Sequence, residues 1–257
     1  MRNLLQTLMA ILMFVSLSSC SRDQTKNIKL PEDVKRGREI FYDSNYGTTG
    51  LACANCHADF DDVTYPDDKI RPGHNLIGAH RRKITWYGKF RGETLKITAG
   101  GAGLCIVLYQ KKEGAVNPLK ALSPEDSQAL LAYFEFISGE IEVEKLTSQP
   151  LVLPWDDETT RKEKINRIKD KILNLSGNPE NGAIIYEKAC EQCHLEEINI
   201  GPPILFTQKI TAEKIIEMIR AGSSASSETP MPFFTPDKLS DQEIADLIAY
   251  IVRLQEK

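Results

Sequence analysis

Five residues set the terms for this chain, and they occur twice: Cys53-Ala54-Asn55-Cys56-His57 and Cys190-Glu191-Gln192-Cys193-His194. C-x-x-C-H is the attachment pattern of c-type haem. The spacing follows from the chemistry. Two thiols one helical turn apart can each form a thioether with a haem vinyl group, and the next side chain then reaches the iron. The competing reading is a redox C-x-x-C pair, or half of a zinc site standing before a histidine. A zinc site built from both pairs would need them close together in space, while they stand 137 positions apart with domain-sized sequence between. Two copies, each with its histidine in place, favour haem. Cys53, Cys56, Cys190 and Cys193 are then the anchors of two covalently attached haem c groups, and His57 and His194 the proximal iron ligands.

Two such motifs in 257 residues point to two domains. Aromatic residues make up only 7% of the chain, too few to advertise a large all-protein core. A buried porphyrin would supply apolar mass to each small domain. The formal charge of −4 leaves no basic footprint for nucleic acid, so that partner class is excluded from the expectation.

The N-terminus reads as an export segment. Arg2 supplies a positive start, an apolar stretch runs from Leu4 to Leu17, and small residues follow. The stretch falls short of the roughly 20 apolar residues that span a bilayer. Leu17-Ser18-Ser19-Cys20 resembles a bacterial lipobox. That resemblance implies a signal peptide over 1–19, lipidation of Cys20, and a polar tether over 20–30. The protein is then expected to be exported, to the bacterial periplasm or cell surface, and held to the membrane by lipid.

The second motif sits in the clearer surroundings. Asn178-Pro179-Glu180-Asn181-Gly182 opens a short helix that leads into Cys190. After His194 come Gly201-Pro202-Pro203 and a helix over Thr211–Ala221 with Ile215, Ile216 and Ile219 on one face. Next come Pro230-Met231-Pro232-Phe233 and a last helix opened by Ser240 with Glu243 three residues on, the pattern of a capping box. This order resembles class I cytochrome c domains over residues 178–254. The resemblance implies His194 and Met231 as the axial ligands, with the Pro202 carbonyl accepting the ring N–H of His194. Met218 is a rival methionine, but its mid-helix spacing is that of a core residue.

The first half follows the same plan with changes. Pro31–Gly37 opens a helix through Phe41, and Leu122-Ser123 leads to Leu130, Leu131, Ala132 and Tyr133. The latter matches Leu239-Ser240 leading to Leu247, Ile248, Ala249 and Tyr250, at an offset of 117, which indicates an internal repeat. No methionine lies between Pro31 and Glu142, so His/Met ligation is excluded there. His74, His80 and Cys105 remain for the sixth position. Cys105 is the odd cysteine of six once four thioethers and Cys20 are assigned, and it follows a glycine-rich approach, Gly100-Gly101-Ala102-Gly103. A buried small hydrophobe and an iron-bound thiolate are both open to it.

A haem domain with a downstream cysteine, a helix opened by Ser123-Pro124-Glu125, and a second haem domain resembles the diheme thiosulfate dehydrogenases. It is also similar to the A subunit of the Sox thiosulfate-oxidising complex. The resemblance implies that Cys105 ligates or works at haem 1, with His74 as its rival. It leaves a catalytic role for Cys105 open, and it brings in a small sulfur anion as a partner, towards which Arg71, Arg81, Arg82 and Lys83 would contribute positive field.

The expected architecture is all-α. Haem domain 1 spans 31–142, a linker 143–175 carries an amphipathic helix, and haem domain 2 spans 176–257. The expected function is a membrane-tethered diheme cytochrome c that carries electrons between redox partner proteins. The alternative is an oxidoreductase that oxidises a sulfur anion at a cysteine-ligated haem 1. A peroxidase would need distal acid–base residues, for which the sequence offers no clear constellation.

Overall fold

The computed structural model describes residues 30–59, 67–139, 151–153, 155–194, 200, 209–223 and 231–256. The expected signal segment, Cys20, expected to be lipidated, and Pro202 lie outside them. The chain divides at Leu30/Pro31, and Pro31–Lys257 is one compact unit. Its elements are mainly helical: α1 Glu32–Tyr42, α2 Cys53–Cys56, α3 Glu93–Ile97, α4 Ala102–Cys105, α5 Pro124–Ser138, α6 Glu158–Leu173, α7 Pro179–Ala189, α8 Glu191–His194, α9 Ala212–Ala221 and α10 Asp241–Gln255. Among the described residues no helix is long and apolar enough to cross a membrane.

Five helices begin where a short polar side chain can take the first free N–H groups. Ser123, Asp157, Asn178, Thr211 and Ser240 cap α5, α6, α7, α9 and α10. Glu243 answers Ser240 by accepting from its N–H at 2.7 Å, completing the capping box that the sequence spells. Pro124 and Pro179 each occupy the first helical turn, where no N–H is needed.

Two helix crossings organise the unit, and they are built alike. α1 meets α5 at Gly37, where a Cβ would stand 2.0 Å from the Ala129 carbonyl oxygen and 2.7 Å from Tyr133 Cβ. α7 meets α10 at Gly182, where a Cβ would stand 2.1 Å from the Asp246 carbonyl oxygen and 2.7 Å from Tyr250 Cβ. Only glycine permits backbones this close. One turn on, Phe41 stacks against Tyr133 at 5.5 Å between ring centroids, and Tyr186 against Tyr250 at 5.7 Å. The repeat read from the sequence is therefore also a repeat of contacts. Cys53 precedes Tyr133 by 80 positions and Cys190 precedes Tyr250 by 60, so the first half carries about 20 extra residues between motif and closing helix.

In that longer stretch lies what an all-α expectation does not contain. β1 Ile84–Thr85 pairs antiparallel with β2 Phe90–Arg91, Ile84 opposite Arg91 and Thr85 opposite Phe90. Strands of two residues leave no alternation to read. The turn between them is left-handed at Trp86, Tyr87 and Gly88, with φ of 49°, 53° and 95°. Trp86 donates its indole N–H to the Gly101 carbonyl at 3.0 Å, and a Cβ on Gly101 would stand 2.5 Å from the indole ring. The glycine-rich approach to Cys105 thus makes room for a tryptophan.

The amphipathic helix of the linker is present as α6, but it docks on the second half. Ile172 joins the core of α7, α9 and α10, while Ile165 packs with Val152 and Ala221. Just before it, Trp155 lies against Trp86 of the first half, 6.4 Å between centroids, with Lys89 over its ring at 4.9 Å.

Candidate haem sites

Each C-x-x-C-H forms one tight turn. The His57 N–H donates to the Cys53 carbonyl at 2.9 Å, and the His194 N–H to the Cys190 carbonyl at 3.0 Å. In the first motif the helix ends at Cys56 and His57 is already extended, and Cys53, Cys56 and His57 line one cavity. In the first motif the Asn55 side chain accepts from the Ala52 N–H at 2.7 Å and closes the turn.

The first motif opens onto a cavity of about 330 Å³. Cys53, Cys56 and His57 form part of its wall, with Leu51, Leu76, Ala99 and Phe134 as buried apolar lining. His57 Nδ1 hydrogen-bonds the His74 carbonyl at 2.8 Å. With the proton on that nitrogen, Nε2 carries the free lone pair that binds a metal. Burial pushes the His57 pKa down to about 4, so the ring stays in the neutral form that binds iron. Pro72-Gly73-His74 wraps the ring so closely that a Cβ on Gly73 would stand 2.4 Å from it. Pro72-Gly73 after the first motif and Gly201-Pro202 after the second are the signal from which this support could have been read. The counterpart for His194 falls outside the described residues.

The three sixth-position candidates separate in space. Cys105, at the end of α4, lines the cavity. Burial pushes its thiol up to about 12, so it is neutral until a metal takes the proton's place. His74 also lines the cavity, and its carbonyl stands behind His57. His80 sits on a short 3₁₀ turn, Ala79–Arg81, outside the cavity lining, and burial lowers its pKa. Of the four cations expected to attract an anion, Arg71 is paired with Asp67 at 2.6 Å, and Arg82 lines the cavity while donating to the Asn75 carbonyl at 2.8 Å.

The second motif is buried at Cys190 and His194. Burial pushes Cys190 up to about 12 and Cys193 to about 11. Tyr186 donates to the His194 carbonyl at 3.4 Å. Met231 packs against the core of the second half, and its carbonyl accepts from the Ser223 N–H at 3.0 Å.

Sequence distance says little about how near the two motifs lie. Segment Lys69–Arg71 laces them together. Arg71 Nε donates to the Ala54 carbonyl at 3.3 Å, the Ile70 N–H to the Lys188 carbonyl at 3.0 Å, and Gln192 Nε2 to the Ile70 carbonyl at 3.4 Å. Ala54 and Gln192 are the variable positions of the motifs, which therefore also join the halves. Burial raises the Cys56 pKa most, and Cys105 and Cys193 add to it, placing those thiols within electrostatic reach. Even so, among the described residues no group of three or more His, Cys, Asp or Glu side chains could hold a metal ion. The two C-x-x-C-H turns thus stand near one another through the Lys69–Arg71 segment.

Residues 177–251 match the family described as cytochrome c oxidase, cbb3-type, subunit III. The match runs from just before α7 through most of α10. No curated protein and no solved structure matches the chain. The C-terminal segment is thus a cytochrome c-like domain, the mark of an electron-carrying haem protein with covalently bound haem c that works with redox partner proteins.

Proposed function

We propose that the chain is a diheme cytochrome c, exported and anchored through a lipid on Cys20, that relays electrons between redox proteins. Haem supplies one-electron exchange at iron. The chain's part is to hold each group, exclude water and set its potential. Cys53 and Cys56 hold haem 1 and Cys190 and Cys193 hold haem 2. His57 and His194 are the proximal ligands, and Met231 is the distal ligand of haem 2. The observation that carries the reading is the cavity beside Cys53, Cys56 and His57, apolar and backed by a fixed, neutral imidazole. Cys105 is the sixth ligand of haem 1. It lines that cavity, whereas His74 contributes its carbonyl to the support of His57.

A second reading makes haem 1 catalytic, with Cys105 binding a small sulfur anion that the haems oxidise. The position of Cys105 in the cavity wall favours it. One set of measurements separates the readings. Haem content and intact mass should give two haems per chain, falling to one in Cys53→Ala/Cys56→Ala. Electron paramagnetic resonance should show a thiolate-type low-spin haem beside a His/Met one, the former lost in Cys105→Ala. A bis-histidine signal lost in His74→Ala would overturn the ligand assignment. Reduction of the haems by thiosulfate, abolished in Cys105→Ala, would select the enzyme.

A further inference from the structure

In the wall of the first-half cavity, Thr85 Oγ1, Gln110 Oε1 and Thr235 Oγ1 are buried with no hydrogen-bond partner among the described residues. Their residues are 8%, 4% and 1% exposed. A buried polar group left without a partner is costly. The two threonine hydroxyls among them point to an acceptor that enters the cavity. Gln110 is already oriented, its Nε2 donating to the Leu51 carbonyl at 2.9 Å. The two threonine hydroxyls are free to donate. A c-type haem brings an apolar ring and two carboxylates, which are its acceptors for such donors.

Thr235 is the informative member because it belongs to the other half. Pro232 and Phe233 line the cavity with it. The loop that carries them is pinned at both faces. The Phe234 N–H donates to the Ile219 carbonyl at 2.7 Å, and the buried Arg220 donates to the Phe234 carbonyl at 3.1 Å. The Thr235 carbonyl accepts the Lys238 and Leu239 N–H groups at 3.0 and 3.1 Å, so its hydroxyl is the group left over.

We propose that the second half completes the haem-1 pocket, with the Thr235 hydroxyl donating to a haem-1 carboxylate and raising the potential of that haem. The inference rests on the reading of Cys53, Cys56 and His57 as a haem site. A donor on the carboxylate draws negative charge away from the iron and so favours the reduced state. The loop that presents Met231 to haem 2 thus also sets the potential of haem 1.

Redox titration of the intact holoprotein, followed by electron paramagnetic resonance so that each haem is read separately, tests this. Thr235→Val keeps the shape and removes the donor. It should shift the reduction equilibrium of haem 1 towards the oxidised form at least threefold, about 28 mV at 59 mV per decade, with haem 2 unmoved. Thr235→Ser should restore the wild-type value. Thr235→Ala is titrated alongside, so that poor packing of valine cannot decide the result. An unmoved haem 1 in both donor-free variants, or equal shifts of both haems, overturns the proposal. Fewer than two haems in the wild type would instead overturn the diheme reading itself.

Discussion

At Gly37 and again at Gly182, an opening helix presses its backbone against a closing one, and an aromatic pair seals the crossing a turn later. Past that crossing the halves use different means to hold what comes next. In the first, Asp59 stands two residues after His57, buried, and takes the hydroxyls of Tyr42 and Tyr133. The segment beyond the motif is thereby tied to both helices of the crossing. In the second, the buried cation Arg220 pairs with Asp241 at 2.7 Å and pins the loop that carries Met231. The crossing serves as a frame, and beyond it the two halves are built differently. A longer wall with a hairpin and Cys105 belongs to one, and a short methionine loop to the other.

The sharpest way to break this contrast is at Arg220, which is 1% exposed. Burial lowers its pKa, and the carboxylate of Asp241 works against that. Removing one partner of a buried pair costs about 3–5 kcal/mol. Lys171 also reaches Asp241, at 2.6 Å, which puts Arg220→Met at the lower end, about 3 kcal/mol. At about 2–4 °C per kcal/mol, thermal unfolding should fall by about 6–12 °C. A variant that melts like the wild type would show that the loop is held by something else.

The frame itself is tested by Gly37→Ala and Gly182→Ala. Each adds one methyl against a carbonyl about 2 Å away. Overpacking of this kind costs about 1–3 kcal/mol against the roughly 1 kcal/mol that alanine gains over glycine in a helix, a net loss of up to about 2 kcal/mol. If the crossings are equivalent, the two denaturation midpoints should drop by similar amounts. A difference above about 1 kcal/mol would separate them.

The two C-x-x-C-H turns, the Ser240 capping box and the repeat of the closing helix were legible in the sequence because each is a local pattern. C-x-x-C-H is a spacing, a cap is three residues long, and the Leu-Ser openings match by eye. What stayed hidden depends on approach between distant segments. Nothing around Thr235 announces that it lines a cavity opening at Cys53. Gly101 reads as a turn residue until Trp86 is found against it. The laced motifs are the clearest case, since a separation of 137 positions suggested two distant centres, and Ile70 brings them together. The hairpin was missed for a simpler reason: two-residue strands have no period.

The smallest effect tells most about why the two tyrosines at the crossings differ. Tyr133 and Tyr250 hold equivalent places, but only the former hydroxyl is bonded to a buried carboxylate among the described residues, at 3.0 Å from Asp59. Tyr133→Phe keeps the ring and removes that bond, while Tyr42 still serves Asp59, so the expected loss is about 1 kcal/mol. Tyr250→Phe should cost roughly 0.5 kcal/mol or less. The pH dependence carries a sign as well. Burial first, and then the charge of Asp59, raise the Tyr133 pKa above the ordinary 10.0. In the unfolded chain the same phenol ionises near pH 10, so its stabilising contribution is complete below that pH and is lost as the pH rises through it. The stability gap between wild type and Tyr133→Phe should therefore hold steady at neutral pH and narrow above about pH 10. A gap that is the same at pH 7 and pH 11 would mean that the hydroxyl is not held as the crossing requires.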